Sequence, residues 1–173
     1  IVPRKTVTEL RKLIEETNEN VSVAMSDTKI RFSFEGVLLT SKLIDGTFPD
    51  YNRVIPNEND KVLEVDTKIF VDAVGRVSAI STEKSRAIKL ALTADNLILS
   101  AYSAGNDSAV EELSVDYRSE DIEIGFNARY LQDIAQQIDG TSARFTLADS
   151  ASPTLVQDTS DESALYVLMP MRV

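Results

Sequence analysis

The sequence contains no cysteine, histidine or tryptophan. Without cysteine the chain can form neither disulfide bonds nor thiolate sites, and such a composition is typical of proteins of the reducing cytoplasm. Without histidine it lacks the most common general base and the most common transition-metal ligand. A zinc site would have to consist of carboxylates alone, which is rare. We therefore expect no catalytic site, no metal and no cofactor in this chain.

Long apolar runs are also missing, because no window approaches eighteen consecutive apolar residues, and so we predict no membrane span. The apolar content of 43% is sufficient for a folded core. The chain starts with Ile1-Val2-Pro3-Arg4-Lys5, without an initiator methionine or a signal-like segment. This start predicts a piece of a longer protein.

The net charge of −10 argues against nucleic acid as a ligand, but the charge is unevenly distributed. Three segments predicted as helices, 4–16, 66–80 and 127–138, contain seven of the 18 basic residues and only six of the 28 acidic ones. A protein of this kind could turn its helices toward DNA and its acidic strands and loops toward solvent. An ordinary solvated helix face explains the same distribution.

A unit of one short strand, one amphipathic helix and three further strands occurs three times. Apolar residues at helical spacing define the helix faces. These faces are Val7, Leu10, Leu13 and Ile14; Ile69, Phe70, Ala73, Val74 and Val77; and Tyr130, Leu131, Ile134, Ala135 and Ile138. Alternating patterns predict strands over 21–25, 29–34, 36–42, 62–65, 87–92, 97–102, 109–117, 122–126, 143–148, 154–157 and 163–169. Asp66 or Thr67 and Asn127 are the predicted N-caps.

Such half-units cannot cover their apolar faces alone, so we expect them to pair, with two helices packed on antiparallel sheets. The predicted class is α+β. Half-units at about 56–118 and 119–173 form one domain, 56–173, and residues 1–55 are half of another domain plus a connector. The terminal run Tyr166–Val173 is apolar and contains Met-Pro-Met, which indicates a strand that ends in an adaptable binding surface. A last core strand with a loose end is the alternative.

Four motifs in order resemble the β subunit of the bacterial replicative DNA polymerase, the sliding clamp. They are Pro3-Arg4-Lys5, the segment Ser41–Tyr51 (SKLIDGTFPDY), Glu123–Asn127 (EIGFN) with Tyr130, and the ending Tyr166–Arg172 (YVLMPMR). The resemblance covers essentially the whole chain, in register with the repeat. It implies a DNA-clamp fold, with the second half of clamp domain two in residues 1–55 and all of domain three in residues 56–173. Domain one and the first half of domain two have no counterpart in the chain.

The resemblance also implies the function. In this family two chains of three domains form a closed homodimeric ring, which encircles duplex DNA without sequence specificity, slides, and tethers the polymerase as a processivity factor. The expected location is the bacterial cytoplasm, at the nucleoid, with no membrane contact and no catalysis. The channel wall is expected to include Arg4, Lys5, Arg11, Lys12, Lys68 and Arg76.

Two further surfaces follow from the resemblance. A groove between domains two and three is expected to bind short peptides, with a leucine and an aromatic residue, from polymerases, the clamp loader and repair proteins. The matching positions are Pro49, Arg53, Val54, Asn127, Tyr130, Ser152, Pro153, Val167, Met169, Pro170, Met171 and Arg172. The ring interface is expected to use Ala79, Ile80, Val110, Glu111 and Leu113.

The sequence leaves two alternatives. An enzyme would need paired groups, but Asp50, Asp60, Asp158 and Asp161 lie on turn-rich segments without a base or a phosphate-binding loop. The acidic loops 57–60 and 158–162 match no calcium-binding spacing. The second alternative is a non-catalytic scaffold or adhesion module rich in strands, which would not require the Met-Pro-Met ending.

Overall fold

The computed structural model describes residues 1–15, 20–81, 86–103, 105 and 107–172. The chain divides into two compact units, an N-terminal unit Ile1–Asp50 and a C-terminal unit Tyr51–Val173. Within the described residues no helix is long and apolar enough to cross a membrane. Residue 16 of the first predicted helix and Val173 of the terminal run lie outside the described residues.

The N-terminal unit contains one helix and one antiparallel sheet. Its elements are α1 (Arg4–Ile14), β1 (Ser22–Met25), β2 (Lys29–Phe34) and β3 (Val37–Lys42), with sheet order β1-β2-β3. Glu35 and Gly36 join β2 to β3 with φ of 43° and 79°, as a two-residue hairpin turn requires. After β3 the chain returns to its start, where the Ile44 N–H donates to the Ile1 carbonyl oxygen at 2.9 Å.

The apolar face of α1 is largely uncovered. Thr6 is the buried residue of this helix, whereas the side chains of Val7 and Leu13 remain 54% and 40% exposed. On the sheet, Phe32 is buried but Met25 is 73% exposed. The unit therefore leaves apolar surface open, which agrees with the inference that one half-unit cannot cover its own helix and sheet.

The described part of the C-terminal unit contains two α-helices and nine strands. In chain order they are β4 (Lys61–Asp66), α2 (Thr67–Ser78), β5 (Ala87–Thr93), β6 (Asn96–Tyr102), β7 (Ser108–Ser114), β8 (Asp116–Tyr117), β9 (Ile122–Asn127), α3 (Ala128–Ala135), β10 (Ser142–Leu147), β11 (Thr154–Asp158) and β12 (Tyr166–Leu168). A five-stranded sheet has the order β12-β11-β10-β4-β8, and a four-stranded sheet has the order β7-β6-β5-β9. All pairs are antiparallel.

The same path is followed twice in this unit. The chain leaves the five-stranded sheet at β4, forms α2, builds β5 to β7 in the four-stranded sheet, and returns with β8 to pair with β4. It then leaves the four-stranded sheet at β9, forms α3, builds β10 to β12, and returns with Met171 to pair with Gly125 of β9. The return of Ile44 to Ile1 is the equivalent step in the N-terminal unit. The predicted α+β class and repeat are confirmed.

The core of the C-terminal unit lies between the helices and the sheets. Phe70 of α2 is 1% exposed, and its ring meets the Phe145 ring of β10 edge-on at a centroid distance of 5.3 Å. The helices α2 and α3 pack closely at Gly75, where an added Cβ would lie 3.4 Å from Gln132 Nε2. The Asp66 carboxylate accepts from the Ile69 N–H at 2.8 Å and so caps α2.

Some predicted bounds were wrong for identifiable reasons. The predicted strand 109–117 is two strands in different sheets, because the chain turns at Val115, whose N–H donates to the Asp95 carbonyl oxygen at 3.2 Å. The predicted strand 163–169 begins only at Tyr166, after an exposed turn in which Asp161 accepts from the Ser163 N–H. Ile69 was predicted on a buried face but is 54% exposed.

Candidate functional site

Four basic residues form a strip along α1. Arg4 and Arg11 are seven residues apart, as are Lys5 and Lys12, so each pair recurs on nearly the same side of the helix after two turns. All four are exposed. Lys12 pairs with Glu9 at 3.3 Å, and Arg11 lies 3.5 Å from Glu15. In the described part of the chain, Arg4 and Lys5 form no ion pair.

The two basic residues predicted on α2 differ. Lys68 is exposed in the first turn, and no ion pair joins it to another described residue. Arg76, in the last turn, donates to both carboxylate oxygens of Glu111 on β7, with Nε at 3.0 Å from Oε2. This contact lowers the pKa of Glu111 and raises that of Arg76. The sequence analysis placed these partners on two different surfaces, the DNA channel and the ring interface.

The other residues predicted for ring closure have mixed environments. Ala79, which caps α2, is exposed, whereas Ile80 packs against the core. Val110 is 63% exposed on β7, which is an edge strand. Leu113 is only 8% exposed and belongs to the core. At Leu113 the edge strand can therefore offer its backbone to a partner but not its side chain.

The C-terminal tail is held in place by backbone pairing on both sides of Pro170. Val167 pairs with Leu155 in β12 and β11. Beyond the proline, the Met171 N–H donates to the Gly125 carbonyl oxygen at 2.8 Å. The tail therefore runs from the edge of one sheet to the edge of the other. Between these contacts the Met169 side chain is 60% exposed.

The neighbouring predicted residues are fixed by local hydrogen bonds. Asn127 caps α3 through its side-chain oxygen, which accepts from the Arg129 N–H at 2.9 Å, and Tyr130 is 55% exposed. Ser152 donates from its N–H and its hydroxyl to the Asp149 carboxylate, at 2.7 and 2.9 Å. The hydrogen bonds of this turn lower the pKa of Asp149, the N–H of Ala151 foremost.

Of the remaining predicted pocket residues, Pro153 accepts through its carbonyl oxygen from Asn59 Nδ2 at 3.0 Å. Arg53 ends a short 3-10 turn, and Val54 follows it with 56% of its surface exposed. Pro49 belongs to the N-terminal unit and is exposed. The roles of these residues in binding stay predictions.

A cavity of about 620 Å³ opens beside the tail, and we call it the tail cavity. It is lined by Met171 and Arg172 together with residues that the sequence analysis missed, chiefly Lys89, Ser100 and Tyr102. The sequence contains one indication of this cavity, in the residues that face outward at alternate positions of β5, β6 and β9. These positions include Ala87, Ser100 and Gly125, which are unusually small for a solvated sheet face.

Among the described residues, no three or more aspartate, glutamate, histidine or cysteine residues are grouped so that they could hold a metal ion. The acidic side chains of these turns instead accept hydrogen bonds from backbone N–H groups. The Asp158 carboxylate accepts from the N–H groups of Gly140 and Ser160 at 2.8 and 2.7 Å. These bonds and that from the Ser160 hydroxyl lower the pKa of Asp158.

Comparison with known protein families accounts for nearly the whole chain. Residues 52–172 match the model for the DNA polymerase III beta subunit, C-terminal domain, and residues 1–50 match that for the central domain of the same subunit. The chain belongs to the DNA polymerase III beta subunit family. The resemblance drawn from the four sequence motifs is thereby confirmed.

Curated relatives are consistent with this family. The beta sliding clamp of Caulobacter vibrioides strain NA1000 is 53% identical over 173 residues, which are 100% of this chain and 46% of that protein. The beta sliding clamp of Escherichia coli K12 is 36% identical over the same span, which is 47% of its length. The chain thus spans about half the length of the curated relatives that it matches.

The fold comparison gives the same result. A crystal structure of the Bartonella birtlesii sliding clamp bound to griselimycin matches with a TM-score of 0.96 and 49% identity, over 100% of this chain and 47% of that one. A Caulobacter crescentus beta sliding clamp matches with a TM-score of 0.96 and 53% identity, over 100% of this chain and 46% of that one. The predicted clamp fold is confirmed.

Proposed function

We propose that the chain is the C-terminal part of a replicative sliding clamp. In the whole protein, two copies close into a ring that encircles duplex DNA, slides without reading sequence, and tethers the polymerase. Membership of the beta subunit family supports this proposal, and so does the exposed basic strip on α1. The role is non-catalytic and belongs to the bacterial cytoplasm. The residue ranges 1–55 and 56–173 are proposed as the end of domain two and the whole of domain three.

Sliding requires contacts that hold DNA without fixing its register. Cationic side chains that contact phosphates meet this need, because contacts with phosphates carry no sequence information. Each phosphate neutralised contributes about 0.9 to the salt dependence of log K. We therefore assign Arg4, Lys5, Arg11 and Lys12 to DNA contact, and Lys68 with them. Arg76 is proposed as a weaker contributor, because Glu111 already neutralises its charge.

Substitution of Arg4 and Lys5 by serine in the whole protein tests this assignment. We expect the salt slope of DNA binding to fall by roughly 2, since two phosphate contacts are lost. Substitution of Lys29 and Arg31 by serine is the matched control, because these cations are equally exposed on the outer side of β2. Equal slopes for both double variants would exclude α1 from the channel.

The second proposed activity is the binding of partner peptides at the C-terminal tail. The observation that carries it is an apolar ending fixed at Met171 while Met169 stays 60% exposed. A single exposed apolar side chain costs a folded protein little free energy, and the flexible side chain of methionine can adapt to ligands of different shape. Val167, Pro170 and Arg172 are proposed as neighbours in the same site, with Asn127, Tyr130, Ser152 and Pro153 as its rim. Pro49, Arg53 and Val54 are also assigned to it, and Ala79, Ile80 and Val110 to the ring interface.

Burial of two apolar peptide anchors yields roughly 3–6 kcal/mol before association entropy is subtracted. We therefore expect weak and exchangeable binding, which allows several partner proteins to bind this surface in turn. This chain should bind such peptides more weakly than the whole protein, because the first half of domain two is absent from it. Equal affinities in fluorescence polarisation would contradict that expectation.

The Met169→Ala variant tests the peptide site directly. We expect weaker binding of a fluorescein-labelled peptide with a leucine and an aromatic anchor, but an unchanged unfolding temperature, because Met169 is 60% exposed. Val110→Ala is the matched control, since Val110 is 63% exposed on β7 at the opposite edge of the four-stranded sheet from β9. A large fall in unfolding temperature for Met169→Ala would instead identify Met169 as a core residue.

A further inference from the structure

The tail cavity lies on the outer face of the four-stranded sheet, away from the core. Lys89, Ser100 and Gly125 occupy one cross-strand row, because Lys89 pairs with Ser100 on one side and with Gly125 on the other. Gly125 has no side chain and Ser100 has a small one, so these two positions form the floor of the cavity. Tyr102 and Lys89 form walls, and the tail residues Met171 and Arg172 close the remaining side.

The hydroxyl group at the floor of the cavity has no hydrogen-bond partner among the described residues. Ser100 is only 4% exposed and lines the cavity. Within the described residues its Oγ atom forms no hydrogen bond. The Oγ atom is not sealed from solvent, since the fully buried unpaired side-chain atoms of the described residues are those of Thr67, Ser81 and Thr154, so a ligand in the cavity can reach it. The position therefore favours a ligand with a hydrogen-bond acceptor.

The charges around the cavity favour an anionic acceptor. The Lys89 ammonium lies 3.2 Å from the Glu123 carboxylate, and Lys89 is less exposed than Glu123, at 31% against 67%. Arg172 is exposed, and no ion pair joins it to another described residue. Two cations thus face one carboxylate here, in a chain whose net charge is −10. The local excess of positive charge can accommodate one further carboxylate.

The position of the cavity indicates where that carboxylate comes from. Met171 and Arg172 line the tail cavity and also belong to the proposed peptide site. Because these two residues belong to both, a peptide bound along the tail would extend toward the cavity. A volume of about 620 Å³ is ample for one side chain and its backbone. The exposed ring of Tyr102 offers an apolar wall to the methylene groups of such a side chain.

We propose that the tail cavity binds an acidic residue that flanks the apolar anchors of the partner peptide. Its carboxylate pairs with Lys89 and Arg172 and accepts a hydrogen bond from Ser100 Oγ. The inference rests on the proposed peptide-binding function, and it adds a residue preference that the apolar anchors do not supply. Lys89, Ser100 and Tyr102 become specificity-determining residues under this proposal.

Fluorescence polarisation with matched probes tests the proposal on the 173-residue chain. Two fluorescein-labelled peptides carry the same leucine and aromatic anchors, with glutamate before the anchors in one and after them in the other. Each has a glutamine counterpart, which keeps the shape and removes the charge. We expect one glutamate peptide to bind roughly fivefold tighter than its glutamine counterpart, because the site is partly exposed to solvent.

Variants then locate the effect. Lys89→Met should remove the preference for glutamate, Lys89→Arg should keep it, and Ser100→Ala should reduce it, all without a change in unfolding temperature. Lys29→Met, which removes an exposed cation on β2 of the N-terminal unit, should leave the preference intact. A preference that survives Lys89→Met would overturn the proposed pairing.

Failures of the two proposals are distinguishable. If glutamate and glutamine peptides bind equally while Met169→Ala still weakens both, the cavity proposal is wrong and the peptide site remains. If no probe binds the unsubstituted chain at any accessible concentration, both proposals are overturned. Loss of all binding in Lys89→Met, for both peptides of a pair, would assign Lys89 to general anchoring and would also contradict the proposed role.

Discussion

Replacement of Gly140 by alanine should destabilise the C-terminal unit by steric overlap alone. Gly140 lies between α3 and β10, beside the buried carboxylate of Asp158. An added Cβ would overlap Asp158 Oδ1 and would lie 2.6 Å from Ser160 Oγ and 2.9 Å from Asp158 Cγ. The backbone φ of Gly140 lies outside the left-handed region, so backbone strain contributes nothing.

The size of the effect follows from how firmly Asp158 is held. Its carboxylate accepts three hydrogen bonds, from the N–H groups of Gly140 and Ser160 and from the Ser160 hydroxyl, at 2.8, 2.7 and 2.7 Å. It cannot move away from a new methyl group without losing some of them. Overpacking of this kind costs about 1–3 kcal/mol. For a unit of this size the unfolding temperature should fall by roughly 4–12 °C.

Tyrosine fluorescence is a selective assay for this prediction. All five tyrosines lie in the C-terminal unit, there is no tryptophan, and Tyr117 is fully buried. The signal therefore reports the unfolding of this unit without interference from the other. Gly105→Ala is the matched control, because its Cβ would meet only ordinary contacts, at 3.5 Å from Asp107 Oδ2 and 3.6 Å from Ser103 Oγ.

A double-mutant cycle decides whether the reasoning is right. In an Asp158→Ala background the overlapping Asp158 atoms are gone, although Ser160 Oγ remains close, so Gly140→Ala should cost clearly less than it does in the unsubstituted chain. We expect a coupling free energy of at least about 1 kcal/mol between the two positions. If Gly140→Ala costs the same in both backgrounds, the overlap with Asp158 is not the cause, and the explanation is refuted.

Three further predictions concern the same unit. Phe70→Ala should lower the free energy of unfolding, measured in urea, by about 3–5 kcal/mol, because Phe70 is 1% exposed and packs on Phe145. A loss below about 1 kcal/mol would contradict this and would show that neighbouring side chains fill the space. Asp66→Ala should cost about 1 kcal/mol through loss of the cap to Ile69, whereas Asp66→Ser should retain most of it. Because its pKa is lowered in the folded state, Asp158 stabilises the unit above the unfolded pKa of about 3.9, and this contribution disappears as pH falls through the folded value. Asp158→Asn should therefore flatten the decline of stability below about pH 4, and an unchanged pH profile would contradict this sign.

Periodicity was sufficient to predict the helices and most strands. The face of α2 that contains Phe70, Ala73, Val74 and Val77 is buried as predicted, since these side chains recur at helical spacing. The same pattern could not predict that Ile69 is exposed, because the width of a buried stripe depends on how the neighbouring elements pack. Nor could it separate β7 from β8, since the alternation continues through Val115 while the chain changes sheet.

The candidate site likewise contains features that the sequence predicts and features that it does not. The apolar ending and the basic residues of α1 could be recognised from residue types and motifs alone. The contact between Arg76 and Glu111 could not, because its partners are 35 residues apart and meet only through the packing of α2 on β7. The tail cavity was missed for the same reason. Its row of Lys89, Ser100 and Gly125 exists only once the strand register is known.

The return of the chain at Met171 has a consequence for synthesis. Met171 follows its partner Gly125 by 46 residues, so during synthesis the outer edge of β9 at Gly125 stays open until that stretch has been made. A chain terminated before Met169 would leave Gly125 paired on one side alone, with Lys89 of β5. It would also lack Met169 and Arg172, and with them part of the peptide site proposed above.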